Sequence, residues 1–359
     1  MQTIEHISQL KRTKSFKTEK IAGMFDIPVN DEICRKFSVA HDINETEWSV
    51  GLVVGPSGSG KSTIAKALFK ELTPMINFTD RSIVDNIDAP VDEIIEFFCG
   101  VGFSSPPSWL LPYSVLSNGQ QFRAQLASML IAAANNLPIV FDEFTSVVDR
   151  TVAKATSAAV AKLVRRKAKK FVAVTCHYDI IEWLQPDWVI DMADSTFSRR
   201  SLQRPPIKCD IRRAHKSEWS IFKMHHYLSS DLNPIAKSYV AEIDGRAAAF
   251  CACLHFLHAK VKNMRRIHRI VTLPDFQGFG IGPALLNFVC ELNHAEKYRT
   301  GITTSHPGLI HSLHRSKQWR CCKPFAISSP LGVNAKMRNR DNSFNSFGRC
   351  NASFEWIKT

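Results

Sequence analysis

The 359-residue sequence predicts an α/β protein of two domains, the first with a buried parallel sheet and the second of the α+β type. Three observations support this prediction. A glycine-rich stretch lies between an apolar run and a helical stretch twice, at residues 55–63 and at residues 274–286. A polar segment that contains Pro205 and Pro206 lies between the two glycine-rich stretches and marks a domain boundary. The charge balance also changes there, from 22 Lys+Arg against 23 Asp+Glu before residue 201 to 24 against 10 after it.

The overall composition excludes several classes of protein. Ten cysteines occur without a C-x-x-C pair, which argues against a disulfide framework. No apolar run approaches the roughly 20 residues needed to span a bilayer. The first residues, MQTIEHISQLKRTK, lack the apolar core of a secretory signal. We therefore expect a cytoplasmic protein without a membrane partner.

The first glycine-rich stretch has the spacing of a phosphate-binding loop. SVGLVVG (49–55) is typical of a buried parallel strand, and GPSGSGKST follows it with the pattern G-x-x-x-x-G-K-S. Glycines let backbone N–H groups close around phosphate oxygens, and the lysine reaches the terminal phosphates. The helix that follows favours an anion at its N-terminus. The residues predicted to hold the phosphates are Gly55, Ser57, Gly58, Gly60, Lys61, Ser62 and Thr63.

Two adjacent acids end the second apolar strand, in LPIVFDEFTSVVD (137–149). Phosphoryl transfer needs one group that holds a metal ion and one that orients the attacking water. We predict that Asp142 binds Mg²⁺ together with Ser62, and that Glu143 polarises the water. The alternative is a pair of capping acids after a strand.

The stretch LSNGQQFR (116–123) lies between these two elements and identifies a subclass. It resembles the signature of the ABC-type ATPases, LSGGQQ-x-R, with Ser117, Gly119 and Arg123 matched and Asn118 in place of a glycine. The order of the later motifs also agrees, with Asp149 in the position of the D-loop and His177 after a strand in that of the switch histidine. The resemblance implies that ATP is bound between two copies, with Ser117 and Gly119 of one copy facing the phosphate loop of the other.

Two departures from that family are visible. The 56 residues from Lys61 to Ser117 are few for a transporter subunit, and no glutamine occupies the family's Q-loop position in MINFTDRSIVDN (75–86). We therefore expect an ATPase that is not a transport engine. It would act as a homodimer or with a partner ATPase. The aromatic residue that would stack on adenine is unassigned, with Phe37 as the candidate.

The second glycine-rich stretch, QGFGIGPALL, is neither a second phosphate loop of the first kind nor a dinucleotide fingerprint. No Lys-Ser/Thr pair follows it, but it fits Q-x-x-G-x-G. A hairpin signal at Asp244-Gly245 and a basic strand precede it. Together these features resemble the GNAT acyltransferases, and the resemblance implies an acetyl-CoA or other acyl-CoA pyrophosphate held by backbone N–H groups. A structural glycine turn is the alternative. The residues predicted to bind this cofactor are Gln277, Gly278, Gly280 and Gly282.

The acid and base of an acyl transfer are harder to place. The carboxylate and tyrosine that GNAT enzymes commonly use have no clear equivalents, and the strand offers only His268 and, beyond it, Asp275. We predict His306, at a strand end, as a catalytic residue because its pKa lies near neutrality. A packing or capping role is the alternative. CACLHFLH (251–258) permits a metal site, although a core strand explains it better.

The basic second half suggests an anionic substrate. We predict that the chain acylates nucleic acid, because Arg265, Arg266 and Arg269 precede the second glycine-rich stretch. Acetylation of a protein or small amine, with ATP as a switch, is one alternative. A non-catalytic, ATP-switched binding module is another. The basic run VRRKAKK (164–170) is explained by a solvated helix end.

The motifs and the changes in composition along the chain predict four segments. Residues 1–20 form a leader segment, residues 21–200 the ABC-type ATP-binding domain, residues 201–208 a linker, and residues 209–359 the GNAT-like acyltransferase domain.

Overall fold

A computed structural model describes residues 2–11, 15–25, 32–70, 72–133, 137–199, 205–226, 231–256, 262–327 and 350–357. Half of the predicted linker, residues 201–204, and the metal candidate His258 lie outside the described residues.

The first half of the chain alternates strands with helices. In chain order the elements are β1 (Gln2–Lys11), α1 (Phe16–Met24), β2 (Glu32–His41), β3 (Val50–Val54), α2 (Lys61–Phe69), α3 (Val91–Gly100), α4 (Pro106–Trp109), α5 (Asn118–Ala132), β4 (Ile139–Phe141), α6 (Arg150–Arg166), β5 (Phe171–Thr175), α7 (Ile181–Leu184), β6 (Trp188–Asp191) and β7 (Thr196–Arg199).

The sheet of this half is mostly parallel. Its strand order in the described residues is β4-β5-β3-β6-β7, and only β7 runs antiparallel to its neighbour. β3 and β5 are buried along their whole length, as expected for apolar strands covered on both faces. Their common carboxyl edge is where β3, β4 and β5 deliver the loops that follow them. This places residues 55, 142 and 176 at the same edge.

The predicted leader is part of the folded unit. Residues 2–11 form β1, which pairs antiparallel with β2, so that His6 lies opposite Phe37. The apolar residues of QTIEHISQLK recur every third position and do not alternate with polar ones, so the strand is defined by its pairing with β2 and not by a period-two pattern. The structure thus differs here from the predicted boundary at residue 20.

The second half is built around one mixed sheet. In chain order the elements are β8 (Asp210–Arg213), α8 (Trp219–Lys223), β9 (Lys237–Ile243), β10 (Arg246–His255), β11 (Met264–Thr272), α9 (Ile281–Ala295), β12 (Arg299–Thr304), α10 (Pro307–Arg315), β13 (Trp319–Ile327) and β14 (Cys350–Trp356).

The sheet order in the described part of this half is β13-β14-β12-β11-β10-β9-β8, and β11 and β12 are its parallel neighbours. β9 and β10 form the predicted hairpin, with Asp244 and Gly245 at its turn in the left-handed region. The core combines alternate residues of β9 to β12 with the apolar face of α9, including Leu285, Leu286 and Val289. The predicted α/β fold class, with an α+β second half, is confirmed.

The chain separates into two compact units that do not follow the predicted domain boundary. The first unit contains residues 1–74, 133–146 and 164–204. The second contains residues 75–132, 147–163 and 205–359. The helices α3 to α5 and most of α6, which precede residue 200, therefore belong to the same unit as the mixed sheet. No helix in the described part of the chain is long and apolar enough to cross a membrane.

Candidate functional site

The first glycine loop (residues 55–60) joins β3 to α2 and needs glycine at its last position. Gly60 caps α2 with φ +88, in the left-handed region. A Cβ atom there would lie 2.3 Å from the ring of Phe37, so a larger residue does not fit. The ring of Phe37 thus lies directly against the loop. The Lys61 ammonium donates to the carbonyl of Pro56 at 2.7 Å, across the same loop.

A cavity of about 540 Å³ lies at this carboxyl edge of the first unit. Its volume falls within the roughly 300–1,000 Å³ of small-molecule sites. Its lining combines the loop, both acids that follow β4 and the end of β5. The residues are Phe37, Ser57, Gly58, Gly60, Lys61, Ser62, Thr63, Asp142, Glu143, Ser146, Val174, Thr175 and Cys176.

The predicted metal-binding pair is brought together in this cavity. The Ser62 hydroxyl donates to Oδ1 of Asp142 at 3.0 Å, although the two residues are 80 apart in the chain. Hydroxyl and carboxylate oxygens are ligands that suit Mg²⁺, which is commonly held by few protein groups and by substrate phosphates. The residues present therefore fit that ion.

The two predicted catalytic residues of the first unit have defined positions. Glu143 is exposed at the cavity with φ +55, and its backbone N–H donates to Oδ1 of Asp142 at 3.0 Å. A non-glycine residue in the left-handed region is unusual and is found at functional positions. His177 follows β5, with Nδ1 lying 3.2 Å from the Thr145 hydroxyl and 3.5 Å from that of Thr175. These hydroxyls fix the orientation of the imidazole.

The signature residues lie in the second unit, at the start of α5. The N–H of Gln120 donates to the Ser117 hydroxyl, and the N–H of Ser117 donates to the Gln120 amide oxygen at 3.2 Å. This reciprocal pair caps the helix. A Cβ atom on Gly119 would lie 3.3 Å from the side chain of Val152 on α6, so glycine allows the two helices to approach. The cavity lining contains neither Ser117 nor Gly119.

The second glycine loop (residues 277–282) joins β11 to α9. Gly278 has φ +103, and Gly280 caps α9 with φ +85. A Cβ atom on Gly282 would lie 2.7 Å from the Thr272 hydroxyl, so the first turn of α9 packs closely on β11. The N-terminus of a 15-residue helix thus opens at this loop, where backbone N–H groups favour an anion.

β11 and β12 separate next to the second glycine loop. They pair only from Met264 to Ile267, opposite residues 299–302, while β11 continues to Thr272. The pairing of β11 with β10 also shifts at His268, which is an extra residue between Ile267 and Arg269. A bulge of this kind bends a strand and interrupts its ladder. The two parallel strands therefore diverge where α9 begins.

The side chain of Gln277 is engaged within the protein. The N–H of Ser104 donates to its amide oxygen at 2.8 Å, and its amide nitrogen donates to the Thr272 carbonyl at 3.1 Å and to the Ser105 hydroxyl at 3.2 Å. The residue is buried. A role of Gln277 in binding a cofactor would thus rest on its backbone, and its assignment to the cofactor stays a prediction.

His306 is held at both ring nitrogens. It caps α10, because the N–H of Leu309 donates to Nδ1 at 3.2 Å, and Nε2 donates to the carbonyl of Ser104 at 2.9 Å. Burial lowers the pKa of its imidazole. This geometry corresponds to the capping alternative, and the catalytic assignment of His306 stays a prediction.

Two of the three arginines that suggested nucleic acid are buried. Arg265 donates to Glu296 at 2.6 Å and to Asn293 at 2.8 Å, and lies 3.9 Å from the centre of the Tyr298 ring. Arg269 is buried and donates to the carbonyl of His268 at 2.9 Å. Only Arg266 is exposed. Arg265 thus connects β11 to the end of α9, and neither buried arginine contributes to a basic surface.

The cysteine-rich strand β10 does not form a metal site in the described part of the chain. No group of three or more His, Cys, Asp or Glu residues there could hold a metal ion. Cys251 and Cys253 are buried, and burial raises the pKa of both thiols. They belong to the core, as the sequence interpretation favoured.

Arg123 is the functional candidate that the sequence analysis did not single out. It was noted only as the last residue of the signature pattern. In the structure it is 1% exposed, and its guanidinium reaches the segment that leads into the second glycine loop. A buried arginine is uncommon, but nothing in the local sequence indicates its burial.

Comparison with known proteins adds an independent observation on the second half. Residues 234–317 match the family model described as "Acetyltransferase (GNAT) domain". A search of curated proteins finds no match. The chain thus contains a GNAT domain at residues 234–317. This confirms the resemblance to GNAT acyltransferases that the second glycine-rich stretch suggested.

Solved structures of both kinds are similar to parts of the chain. A bacterial Atm1-family ABC exporter with ATP bound is 18% identical, with a TM-score of 0.35, over 43% of this chain and 34% of the exporter. A dimeric ATP-binding cassette in a post-hydrolysis state with ADP and Pi is 19% identical, with a TM-score of 0.33, over 44% of this chain and 87% of the cassette. The IAA acetyltransferase from Bacillus cereus is 17% identical, with a TM-score of 0.30, over 42% of this chain and 99% of that enzyme. The chain spans about a third of the exporter's length.

Proposed function

We propose that the protein hydrolyses ATP at the first glycine loop and transfers an acyl group from a CoA thioester at the second. The observation that carries the first activity is the convergence of Lys61, Ser62, Asp142 and Glu143 on one cavity. The family match at residues 234–317 supports the second activity.

In the ATPase reaction each residue at the cavity has a separate task. Backbone N–H groups of the loop and the N-terminus of α2 bind the phosphates, and Lys61 compensates their charge. Ser62 and Asp142 would hold Mg²⁺, which when bound neutralises charge on the phosphate oxygens. Glu143 orients a water molecule towards the terminal phosphorus, and His177 contacts the same phosphate. The P–O bond to ADP then breaks as the water oxygen bonds to phosphorus, and ADP and phosphate leave.

Hydrolysis on this scheme needs a second copy of the chain. The resemblance to ABC ATPases places Ser117 and Gly119 at the phosphates held by a partner's first glycine loop. Their position at the open, capped start of α5 suits an anion. We therefore propose a homodimer that assembles around two ATP molecules.

In the acyl transfer the second glycine loop supplies backbone groups. The N–H groups at Gly278, Gly280 and Gly282 and the start of α9 would hold the CoA pyrophosphate, and the gap between β11 and β12 would take the acyl arm. The amine nitrogen attacks the thioester carbonyl, the C–S bond breaks, and the thiolate of CoA takes up the proton that the amine releases. His306 is the predicted proton carrier, although both of its ring nitrogens are engaged.

We propose nucleic acid as the acceptor of the acyl group. The positive charge of the second half favours nucleic acid, and Arg266 is the member of the arginine group that is exposed. An amine on a protein or a small molecule would need no basic surface. A non-catalytic, ATP-switched binding module is a second candidate function, because Gln277 and His306 are both occupied by contacts within the protein. A cytoplasmic location stays a prediction.

The test is to incubate the full chain with labelled acetyl-CoA and separate pools of DNA, tRNA and protein, with and without ATP. The proposal expects label in the nucleic-acid pools when ATP is present, and loss of that label in Lys61→Ala. Lys66→Ala is the matched control, because Lys66 is exposed on the same helix. Label in protein alone would contradict the nucleic-acid acceptor. No label in any pool, together with tight acetyl-CoA binding, would favour the binding module.

A further inference from the structure

Arg123 is a buried cation without a hydrogen-bonded carboxylate among its described contacts. Its Nη1 donates to the Pro274 carbonyl at 2.6 Å, its Nε to the Thr156 hydroxyl at 3.0 Å, and its Nη2 lies 3.5 Å from the Gln277 carbonyl. Burial lowers the pKa of its guanidinium to about 10, so it stays charged at neutral pH. Because burying a charge costs several kcal/mol, these neutral acceptors must hold it in a well-defined place.

The acceptors of Arg123 join three parts of the second unit. Arg123 lies on α5, Thr156 lies on α6, and Pro274 and Gln277 belong to the segment between β11 and α9. The Thr156 side chain is fully buried, so its hydroxyl is directed at this arginine and away from solvent. One side chain therefore connects two helices to the entry of the second glycine loop.

The loop is held by close backbone contacts as well. A Cβ atom on Gly278 would lie 3.0 Å from the Ala155 carbonyl of α6, and one on Gly102 would lie 2.8 Å from the Gln277 carbonyl. The Ser104 and Ser105 contacts fix the Gln277 side chain from the same direction. Packed contacts of this kind are not continuously deformable, so a shift of α5 or α6 must move the loop with it.

The starts of these two helices carry the motifs assigned to ATP. Ser117 and Gly119 open α5, and Asp149 immediately precedes α6. Arg123 lies six residue steps after Ser117, a distance of about 9 Å along the helix axis. Near the other end of the segment between β11 and α9, the guanidinium of Arg246 lies 4.0 Å from the Asp275 carboxylate.

We propose that Arg123 is a positioning residue that couples ATP binding to the shape of the acyl-CoA loop. The inference rests on the proposed function, because it assigns ATP to the signature motif and acyl-CoA to the second glycine loop. When a partner's ATP engages Ser117 and Gly119, α5 and α6 close on each other. The bonds of Arg123 to Pro274 and Thr156 then hold the loop in its binding conformation. Acyl-CoA binds more tightly in that state than in the state without ATP.

The experiment measures the dissociation constant of labelled acetyl-CoA for the full chain by equilibrium dialysis, with and without Mg²⁺ and the non-hydrolysable analogue AMPPNP. We expect AMPPNP to tighten acetyl-CoA binding at least about fivefold, the lower end of common coupling. Acetyl-CoA must tighten AMPPNP binding by the same factor, because coupling between two ligands is reciprocal.

Variants of Arg123 and of Thr156 then measure the contribution of Arg123 to this coupling. Arg123→Gln and Thr156→Val are expected to reduce the coupling to less than about twofold, whereas Thr156→Ser keeps the hydroxyl and the coupling. Arg212→Gln is the control, because Arg212 is an exposed arginine paired with Glu218 and Glu242. If Arg123→Gln does not fold, the two Thr156 variants decide, since Thr156→Val preserves the shape of the side chain.

The outcomes separate this inference from the proposed function. Binding of both ligands without any coupling in the unaltered protein would overturn the inference and leave the two activities standing. Coupling that survives in Thr156→Val and Arg123→Gln would also overturn it. No binding of acetyl-CoA to the unaltered protein would remove the proposed acyltransferase function and, with it, the role of Arg123.

Discussion

The two glycine loops of this protein use the same backbone device in different surroundings. Gly60 caps α2 at φ 88 and ψ 16, and Gly280 caps α9 at φ 85 and ψ 14. Each follows a strand, and each leads into the N-terminus of a helix, a position that favours an anion. The first loop faces a cavity of about 540 Å³ with Lys61, Ser62 and Asp142 at its wall. The second is backed by α6 and the 102–105 segment.

The two loops therefore differ in the side chains that surround them. The first loop is surrounded by charged and polar side chains of its own unit. The second offers backbone groups, because its one long polar side chain, that of Gln277, is already bonded to Ser104, Ser105 and Thr272. The conformation of the second loop therefore depends on the neighbouring segments that contact it. Arg123, which bonds to this loop, is for that reason proposed to control its conformation.

The largest expected effect concerns chemistry at the first loop. Glu143→Gln keeps the size of the side chain but removes the carboxylate that we propose orients the attacking water. We expect ATP turnover to fall by roughly 10²–10³-fold, as for loss of a group that acts in the transition state, with little change in ATP affinity. A steady-state phosphate-release assay and ATP binding measure the two effects.

The matched control is Glu47→Gln, an exposed acid of the same unit. Turnover that stays within about threefold of the unaltered protein would show that Glu143 does not activate the water.

A pair of alanine substitutions then compares how tightly the two loops are packed. Gly60→Ala and Gly280→Ala impose the same left-handed strain, about 1–2 kcal/mol. At Gly60 the new methyl group also meets the Phe37 ring at 2.3 Å, whereas nothing lies within 4 Å at Gly280. We expect the Gly60 variant to lose about 1–3 kcal/mol more of the free energy of unfolding, the usual cost of overpacking.

Chemical denaturation of the two variants measures this difference. Equal losses would mean that the Phe37 ring moves away without cost and that the first loop is no more tightly backed than the second.

The smallest expected effect is a pH dependence in the second unit. Burial lowers the pKa of His268 to about 4 and also lowers the pKa of His306. The unfolded chain, with histidine pKa values near 6.5, then binds more protons than the folded one. The free energy of unfolding therefore falls as the pH drops from about 6.5 towards 4, by at most about 1.4 kcal/mol per pH unit for each histidine and by less for His268, which solvent partly screens.

Thermal unfolding between pH 7 and pH 5, above the range in which carboxylates titrate, measures this slope. His306→Asn keeps a side chain that caps α10 but cannot titrate, so its slope should be shallower. An unchanged slope would contradict the buried, neutral state of the imidazole.

The sequence was most informative where the chemistry is local. The first glycine loop, its strand and its helix follow from residues 49–69, because glycine spacing and apolar periodicity determine that unit without distant contacts. The acids after β4 were found for the same reason. Residues 2–11 carry no comparable local signal, because their apolar residues do not alternate with polar ones, and β1 is recognised only from its pairing with β2.

The features that sequence reasoning missed depend on distant contacts. Arg123 meets Pro274 across 151 residues, and Gln277 meets Ser104 across 173. No local pattern indicates which side chains such packing will bury. These two contacts connect helices before residue 200 to the unit of the mixed sheet. A separate contact, with Glu296, makes the buried Arg265 an ion-pair partner and not a surface charge.

The most direct test of the account is a competition measurement on the full chain. ATP with Mg²⁺ and acetyl-CoA are each titrated in the presence of a saturating amount of the other, with the unaltered protein and with Lys61→Ala. Two separate phosphate sites predict that neither ligand displaces the other and that Lys61→Ala loses ATP binding while it still binds acetyl-CoA. Displacement of acetyl-CoA by ATP, or loss of both ligands in Lys61→Ala, would contradict the assignment of one loop to each.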